Sequence, residues 1–387
     1  MLQVTNAPPT PDLICLSHLR WNFVFQRPQH LLTRCARDRR VFFVEEPLFQ
    51  PGIEPRLRIE LSGSVRVIVP ELPEGIGENE AIAAQRDLLE QCIEAQQISE
   101  YVLWYYTPMA LPFTDHLSPV AVVYDCMDEL SAFKGAPTIL KAREAELMRR
   151  AALVLTGGQS LFEAKRHQHP NIHPFPSSVD VAHFAQARRI TTEPQDQAPI
   201  PHPRLGFFGV IDERMDIDLL DGVAAARPDW HLVMLGPVVK IDPDSLPHRA
   251  NIHYLGSKRY EELPQYLAGW DVALLPFARN EATRFISPTK TPEYLAAGKP
   301  VVSTSIRDVV RPYGKQGLVR VADEAGAFVQ ACTAAMGEDP VKRITQADAF
   351  LRQTSWDGTW TRIRSLLDDA LRRRDGRPAI DEDATAV

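Results

Sequence analysis

Short apolar runs alternate with amphipathic stretches along the first half of the chain. Continuous apolar runs are typical of strands buried on both faces of a sheet, whereas apolar positions three to four residues apart are typical of helices. The predicted strands are 12–16, 40–45, 65–69, 101–105, 120–124 and 153–156, and the predicted helices are 27–37, 78–97 and 137–150. Strands that alternate with helices predict β-α-β units around a parallel sheet.

The alternation stops between residues 188 and 203, where the sequence RRITTEPQDQAPIPHP is polar and proline-rich, as linkers are. It then begins again, with predicted strands 205–208, 231–235, 252–255, 272–275 and 300–303 and predicted helices 219–226, 264–268 and 292–297. We therefore predict an α/β chain with two Rossmann-like doubly wound domains facing a central cleft. Their predicted bounds are 1–187 and 204–354, with the linker at 188–203, a C-terminal helix at 355–374 and a flexible charged tail at 375–387.

The composition of the chain excludes several classes of protein. A length of 387 residues suits two domains, and 44% hydrophobic with 24% charged residues excludes a wholly disordered or fibrous chain. The net charge of -7 argues against a nucleic-acid partner. Five scattered cysteines without a C-x-x-C pair exclude a disulfide scaffold or zinc ribbon and fit a reducing compartment. We expect a cytoplasmic protein, with peripheral contact at the inner face of the membrane left open.

The segment 287–300, SPTKTPEYLAAGKP, carries the strongest local signal. We predict a helix capped by Thr291, with Pro292 in its first turn. Lys290 would then lie just before the helix N-terminus, where free N–H groups already favour an anion such as a diphosphate. Glu293 could accept hydrogen bonds from ribose hydroxyls. Alternatively, Glu293 only complements the helix dipole and Lys290 is solvated.

These residues belong to a longer resemblance. DVALLPF (271–277) and SPTKTPEYLAAGKPVVST (287–304) resemble the nucleotide-sugar signature of GT-B glycosyltransferases of the family 4-like kind, "glycosyl transferases group 1". The resemblance extends to 175–180, 207–214, 236–237, 253–256 and 355–360, and therefore covers nearly the whole chain. The family pattern of two glutamates eight positions apart is met only at Glu293, because Phe285 stands at the other position. The S-P-x-K-x-x-E form therefore resembles a divergent branch.

The resemblance implies a GT-B fold whose C-terminal helix crosses back to the first domain. It also implies transfer of a sugar from a nucleotide sugar, with UDP expected from family frequency, to a saccharide or lipid-linked acceptor. The implied role is bacterial polysaccharide or glycolipid assembly. Neither a cofactor nor a metal ion is expected, because cations and helix dipoles neutralise the leaving diphosphate in this fold.

Further donor contacts are expected from the second domain. Gly209 follows its first strand and allows a phosphate to approach the backbone. Arg214 matches the basic residue that grips the diphosphate in the resembled families, although it could instead pair with a neighbouring acid such as Asp212. Lys240 is a weaker candidate. Two further residues of segment 287–300, Ser287 and Thr289, are assigned to the donor site as well.

The first strand is followed by SHLRWNFVFQRPQHLL (17–32), at the position that lines the cleft in GT-B enzymes. His18, Arg20, Trp21 and Arg27 are its functional candidates, and the last three are assigned to the acceptor side. Trp21 could stack on a sugar ring. Alternatively, it plugs the end of the sheet.

The strand at 120–124 is followed by the acids Asp125, Asp128 and Glu129. Transfer to a hydroxyl needs a base near the acceptor O–H, and Asp125 and Asp128 are the candidates, with His18 next. A D-x-x-D pair also permits a metal site, which we rank lower, and Asp128 could simply cap a helix. Asp125 is preferred as the base, because it comes first after the strand and is expected at the cleft edge.

Two other classes of function stay open on the sequence alone. One is a further GT-B enzyme acting on nucleotide sugars, such as an epimerase, and the other is a catalytically silent sugar-nucleotide-binding subunit. A pyridoxal-phosphate phosphorylase would need a much longer chain. An NAD dehydrogenase is disfavoured, because no G-x-G-x-x-G follows the first strand of either domain.

Overall fold

Two sheets organise the chain, and the computed structural model describes residues 10–374. The first sheet has the order β3-β5-β2-β1-β6-β7-β8-β9, parallel throughout, with β4 added antiparallel to β5. Its strands are β1 (Asp12–Leu16), β2 (Val41–Val44), β3 (Leu48–Gln50), β4 (Arg56–Ser62), β5 (Val65–Pro73), β6 (Tyr101–Tyr105), β7 (Ala121–Cys126), β8 (Leu153–Thr156) and β9 (Ile172–Pro174). The helices of this part are α1 (Arg27–Cys35), α2 (Glu78–Ala95), α3 (Leu111–Thr114), α4 (Leu140–Arg150), α5 (Gln159–Lys165) and α6 (Val181–Phe184).

The central strand β1 shows why the apolar runs form buried parallel strands. Leu13 and Cys15 pack into one hydrophobic cluster, and Ile14 and Leu16 pack into a second cluster on the opposite face. Both faces are therefore covered by helices, and alternate side chains fill two separate cores. A strand in this central position therefore needs consecutive apolar residues rather than apolar and polar residues in alternation.

The second sheet is wholly parallel, with the order β12-β11-β10-β13-β14-β15. Its strands are β10 (Arg204–Phe208), β11 (His231–Leu235), β12 (Ile252–Gly256), β13 (Val272–Leu275), β14 (Val301–Ser303) and β15 (Arg320–Val321). The remaining helices are α7 (Ile217–Ala226), α8 (Leu263–Ala268), α9 (Lys290–Ala296), α10 (Arg307–Val310), α11 (Ala325–Met336), α12 (Pro340–Leu351) and α13 (Trp356–Arg374). In both sheets the strand order reverses beside the first strand, so the predicted fold of two doubly wound α/β domains is confirmed.

The C-terminal helix α13 packs on the first domain. Trp356, Trp360 and Ile363 lie in the same hydrophobic cluster as Leu13 of β1. Asp357 at the start of this helix forms ion pairs with arginines of the first domain. The tail predicted at 375–387, and residues 1–9 of the first predicted domain, lie outside the described residues.

The polar segment predicted as a linker is docked against the second domain. Gln197 is fully buried, accepts a hydrogen bond from Trp270 Nε1 at 2.9 Å and donates to the Tyr266 carbonyl at 3.0 Å. Arg188 forms an ion pair with Asp348 at 2.6 Å. The polar residues of this segment therefore make specific hydrogen bonds rather than face only solvent.

Two features bear on the cellular setting. All five cysteines are free and buried, so no disulfide links the described elements. Among residues 10–374, no helix combines the length and the apolar composition needed to cross a bilayer.

Candidate active site

A cavity open to solvent lies between the two domains. Both domains line it, with Gln26, Arg27, Met127, Asp128, Gly157 and Ser177 from the first and Val210, Arg214, Phe277, Ile286, Ser287, Pro288, Thr289 and Lys290 from the second. Several of these residues directly follow strands of the two sheets. Doubly wound sheets bind ligands at this edge, so this space, called the interdomain cavity below, is the candidate active site.

Helix α9 begins at Lys290, so this lysine belongs to the first helical turn rather than preceding it. The predicted cap at Thr291 is wrong, because Thr289 occupies the cap position and Thr291 Oγ1 is buried without a hydrogen-bond partner. Pro292 is the third helical residue, where a missing N–H still costs nothing. The helix therefore begins earlier than the Thr-Pro pair indicates.

Two glycines make room for the lysine at the end of β10. Gly209 has a φ of +136°, and a Cβ atom there would overlap Lys290 Cε. Gly236, at the same φ, lies against the Gly209 carbonyl so closely that a Cβ atom would collide with it. The Lys290 side chain is thus laid across the backbone that follows β10, in the space beside Gly209 that was predicted for a phosphate.

Lys290 has no carboxylate within ion-pair distance among residues 10–374. Burial lowers the pKa of its ammonium group, and the nearby Glu293 carboxylate opposes that shift. A partly buried cation without a direct counter-ion is suited to bind an anionic ligand.

Glu293, in the same helix, is 5% exposed and is not among the residues that line the interdomain cavity. Its Oε2 atom has no hydrogen-bond partner among the described residues. Burial raises the pKa of this carboxyl group to about 7, with Lys290 acting in the opposite direction. Because buried polar atoms are nearly always paired, this oxygen is a candidate acceptor for ligand hydroxyls.

Arg214 lines the interdomain cavity while paired with Asp212. Its Nε lies 2.9 Å from Asp212 Oδ1 and its Nη2 lies 2.7 Å from Asp212 Oδ2. The pairing left open by the sequence is therefore present, and it orients the guanidinium at the cavity wall. Lys240 is exposed, does not line the cavity and lies 5.2 Å from the Phe133 ring.

Ser287 and Thr289 line the interdomain cavity as the sequence predicts for donor residues. The Ser287 carbonyl accepts a hydrogen bond from Ser177 Oγ of the first domain at 2.7 Å. Phe285 packs against the core of that domain as well. The position that carries a glutamate in the family pattern is therefore a domain contact here.

Asp125 is not at the cleft edge, and the expectation that placed it there is wrong. It lies within β7, is fully buried and forms an ion pair with Arg27, whose Nη2 is 2.9 Å from Oδ1. Arg27 is 3% exposed, donates to the Phe175 carbonyl at 2.8 Å and lines the interdomain cavity. Asp125 therefore holds an arginine beneath the cavity, and Arg27 faces the donor residues rather than a separate acceptor site.

Asp128 lies in the loop after β7, is partly exposed and lines the interdomain cavity. Burial raises the pKa of its carboxyl group, and Arg214 is the main influence in the opposite direction. The cap position of the helical turn at 130–132 is occupied by Glu129. Capping therefore does not account for Asp128.

Three residues of the loop after β1 have different environments. His18 is partly exposed, its Nδ1 is buried without a partner, and burial, followed by Lys240, lowers the pKa of its imidazole to about 4. Trp21 is 6% exposed and packs edge-on against Phe43, with ring centroids 4.9 Å apart. Arg20 forms an ion pair with Glu45 at 2.9 Å. Trp21 therefore fills the end of the sheet, as its alternative interpretation has it, while Arg20 braces the loop, and neither residue lines the interdomain cavity.

The sequence analysis did not include the glycine pair after β8. A Cβ atom at Gly157 would collide with the Met127 carbonyl, and one at Gly158 would collide with Asp308 Oδ2 of the second domain. These glycines let the Asp128 loop and the second domain approach β8 closely. Consecutive glycines directly after an apolar run are the signal that could have identified them.

The D-x-x-D pair also bears on a metal site. Within residues 10–374, no group of three or more His, Cys, Asp or Glu side chains is arranged to hold a metal ion. Asp125 forms an ion pair with Arg27, so Asp125 and Asp128 have different roles.

Comparisons with known proteins agree with this architecture. The family model for glycosyl transferases group 1 matches residues 202–338, which include Gly209 and α9. A protein of Bacillus subtilis (strain 168) named as a teichuronic acid biosynthesis glycosyltransferase, TuaH, is 24% identical over 274 residues, covering 65% of this chain and 68% of that protein.

Solved structures extend the similarity to nearly the whole chain. Sucrose-phosphate synthase from Thermosynechococcus elongatus has a TM-score of 0.70 and 14% identity, covering 93% of this chain and 98% of that one. The E. coli trehalose-6-phosphate structure bound with UDP-2-fluoro glucose has a TM-score of 0.67 and 10% identity, with 93% and 99% covered. Anabaena HepE in complex with UDP and glucose has a TM-score of 0.65 and 15% identity, with 93% and 100% covered. The resemblance stated from the sequence is confirmed: the chain has the fold of the GT-B glycosyltransferases, and its residues 202–338 match the family model for glycosyl transferases group 1.

Proposed function

We propose that this glycosyltransferase uses a nucleoside-diphosphate sugar, with uridine as the base, and transfers the sugar to a hydroxyl of a saccharide or lipid-linked acceptor. One observation carries the proposal: Lys290, Arg214 and Arg27 converge on one interdomain cavity. Only one carboxylate, that of Asp128, lines the same cavity. Cationic side chains held in fixed positions at the ends of parallel strands suit a diphosphate.

The donor would be held mainly by the second domain. Lys290 and Arg214 bind the diphosphate oxygens, and Arg214 is already oriented by Asp212. The unpartnered oxygen of Glu293 accepts hydrogen bonds from ribose hydroxyls. Two of the similar solved structures carry UDP or a UDP sugar, which supports uridine as the base.

Asp128 is the proposed base for the transfer. Its carboxylate takes the proton of the acceptor hydroxyl as the acceptor oxygen bonds to the anomeric carbon and the bond from that carbon to the diphosphate breaks. The departing negative charge develops beside Lys290 and Arg214, which stabilise it as fixed cations. We therefore propose that turnover needs no metal ion. His18, neutral near pH 7, is the second candidate base.

The relative named for teichuronic acid biosynthesis supports a role in polysaccharide or glycolipid assembly. We place this role in the cytoplasm, at the inner face of the membrane. The five free, buried cysteines suit that reducing compartment.

The proposal predicts that Lys290→Ala and Glu293→Gln weaken UDP binding without unfolding the protein. Losing a charge-assisted hydrogen bond costs about 1.5–3 kcal/mol, which corresponds to about 10- to 150-fold in Kd for Lys290→Ala. Isothermal titration with UDP measures this, with Lys315→Ala on an exposed turn of the same domain as the matched control. If the three variants and the parent bind UDP with equal affinity, the assignment of the donor site is wrong.

The effect of Glu293→Gln should also depend on pH. Because the pKa of Glu293 is raised to about 7, the carboxyl is mostly protonated at pH 6 and mostly ionised at pH 8. Glutamine resembles the protonated form, so the loss of UDP affinity is expected to be larger at pH 8 than at pH 6. The ratio of variant to parent Kd at the two values tests this, because it cancels the titration of UDP itself.

A further inference from the structure

A second cavity, open to solvent, lies wholly within the first domain. Leu16 and Ser17 at the end of β1, Val44 at the end of β2 and Thr107 after β6 line its floor. In the strand order β2-β1-β6 the chain reverses direction at β1, so this cavity occupies the crevice where doubly wound sheets bind ligands. We call it the α2 cavity, because residues of α2 form one wall.

The α2 cavity and the interdomain cavity lie side by side on the same sheet edge. Strands β6 and β7 are neighbours, with Tyr105 paired to Tyr124. The chain leaving β6 lines the α2 cavity at Thr107, and the chain leaving β7 lines the interdomain cavity at Asp128. Both cavities therefore lie at the carboxyl edge of the first sheet, beyond the ends of neighbouring strands.

The two cavities differ in charge. The α2 cavity is lined by the carboxylates of Glu45, Glu46 and Glu78 and by a single guanidinium, that of Arg143. Glu45 is committed to Arg20, and Arg143 Nη1 lies 3.3 Å from Met109 Sδ rather than beside a carboxylate. With Glu45 paired, the carboxylates of Glu46 and Glu78 still outnumber the guanidinium of Arg143 and disfavour a phosphate-bearing ligand, whereas three cations and one carboxylate line the interdomain cavity.

The walls of the α2 cavity are largely apolar. Eleven of its eighteen lining residues are apolar, and one of them, Phe49, is 54% exposed at the rim. On the floor, Ser17 Oγ accepts the Leu19 N–H at 3.0 Å, and Thr107 Oγ1 accepts the Met109 N–H at 3.2 Å. Both hydroxyl protons stay available for a ligand oxygen. Apolar walls with a few directed polar groups are typical of small-molecule sites.

We propose that the α2 cavity binds the acceptor, and that this acceptor is a neutral glycoside with an apolar aglycone rather than a sugar phosphate. The sugar lies on the floor at Ser17 and Thr107, and the aglycone lies between α2 and the rim at Phe49. This inference rests on the proposed function and adds the chemical class of the acceptor. It distinguishes this chain from similar structures named for sugar-phosphate products.

The test is equilibrium binding to the UDP-saturated protein, using octyl β-D-glucoside below its micelle-forming concentration, phenyl β-D-glucoside, methyl β-D-glucoside and glucose 6-phosphate. Octyl glucoside is expected to bind at least about tenfold more tightly than methyl glucoside, because burying two methylene groups is enough for that gain. Glucose 6-phosphate is expected to bind more weakly than methyl glucoside. Comparing phenyl glucoside with octyl glucoside shows whether the cavity prefers an aromatic or an aliphatic aglycone.

Two variants test whether the preference for octyl glucoside arises in the α2 cavity. Phe49→Ser is expected to remove the advantage of octyl over methyl glucoside, whereas Leu61→Ser, at a residue 71% exposed on neighbouring β4 and outside the cavity, keeps it. Ile82→Trp narrows the cavity and should also abolish the preference, with Ala83→Trp on the exposed side of α2 as its control. Tighter binding of glucose 6-phosphate, or an octyl preference unchanged in both Phe49→Ser and Ile82→Trp, overturns the inference. Repeating the glycoside titrations without UDP separates a failure of this inference from a failure of the donor site, because those titrations do not depend on UDP binding.

Discussion

Replacing Asp128 with asparagine is expected to lower kcat by about 100-fold or more, the usual scale for a positioned acid or base. Asparagine keeps the size and most hydrogen bonding but cannot accept the proton of the acceptor hydroxyl. Asp128 is suited to that step because it lines the interdomain cavity and burial raises the pKa of its carboxyl. Release of nucleoside diphosphate in the presence of acceptor measures kcat.

Nucleotide affinity in Asp128→Asn is expected to be no weaker than in the parent. The carboxylate shares the cavity with Lys290 and Arg214, so its removal takes a negative charge away from the diphosphate site. Asp128→Glu retains a carboxylate and should recover part of the activity. Full turnover in Asp128→Asn would contradict the assignment, and His18→Gln would then be the next variant to measure.

Asp125→Asn is expected to damage the fold rather than the chemistry alone. The change leaves the guanidinium of Arg27, 3% exposed, without the carboxylate that is 2.9 Å away in the parent. Removing one partner of a buried ion pair costs about 3–5 kcal/mol, because the remaining charge is buried without compensation. The free energy of unfolding, measured by urea denaturation, should fall by that amount.

Asp221→Asn provides a matched control for this prediction. Asp221 pairs with Arg249 through two hydrogen bonds at 2.6 and 2.7 Å, but both side chains are more than two-fifths exposed. Exposed ion pairs contribute about 0–1 kcal/mol, so this variant should unfold close to the parent. Equal costs for Asp125→Asn and Asp221→Asn would show that the Arg27 pair does not stabilise the structure.

The two doubly wound domains could be predicted from the sequence because their strands are buried on both faces. β1 has the predicted bounds 12–16, because four consecutive apolar residues follow Asp12. The edge strand β4 was missed, since its side chains are mostly exposed and its pattern carries no apolar run. Helices α11 and α12 also have no counterpart among the predicted elements.

The donor segment was found because its chemistry is local in sequence. Lys290, Ser287 and Thr289 lie within four residues of one another and line one cavity. The helix start was misplaced because proline is tolerated at any of the first few helical positions, so the Thr-Pro pair did not fix it.

Long-range pairing explains the assignments that failed. Arg27 and Asp125 are 98 residues apart, and nothing local shows that they neutralise each other in the interior. Trp21 after β1 could equally stack on a sugar or fill the end of the sheet, and only packing against Phe43 distinguishes these roles. The α2 cavity likewise depends on segments that are distant in sequence.

The most direct test of a nucleotide-sugar enzyme is thermal unfolding of the parent and Lys290→Ala with each nucleoside diphosphate. A ligand that binds only the folded state at 100 times its Kd stabilises it by about 2.7 kcal/mol. We predict that UDP raises the Tm of the parent more than ADP, GDP or CDP does, and that Lys290→Ala loses most of this rise. A parent Tm that no nucleoside diphosphate changes would contradict the donor site, and with it the proposed function.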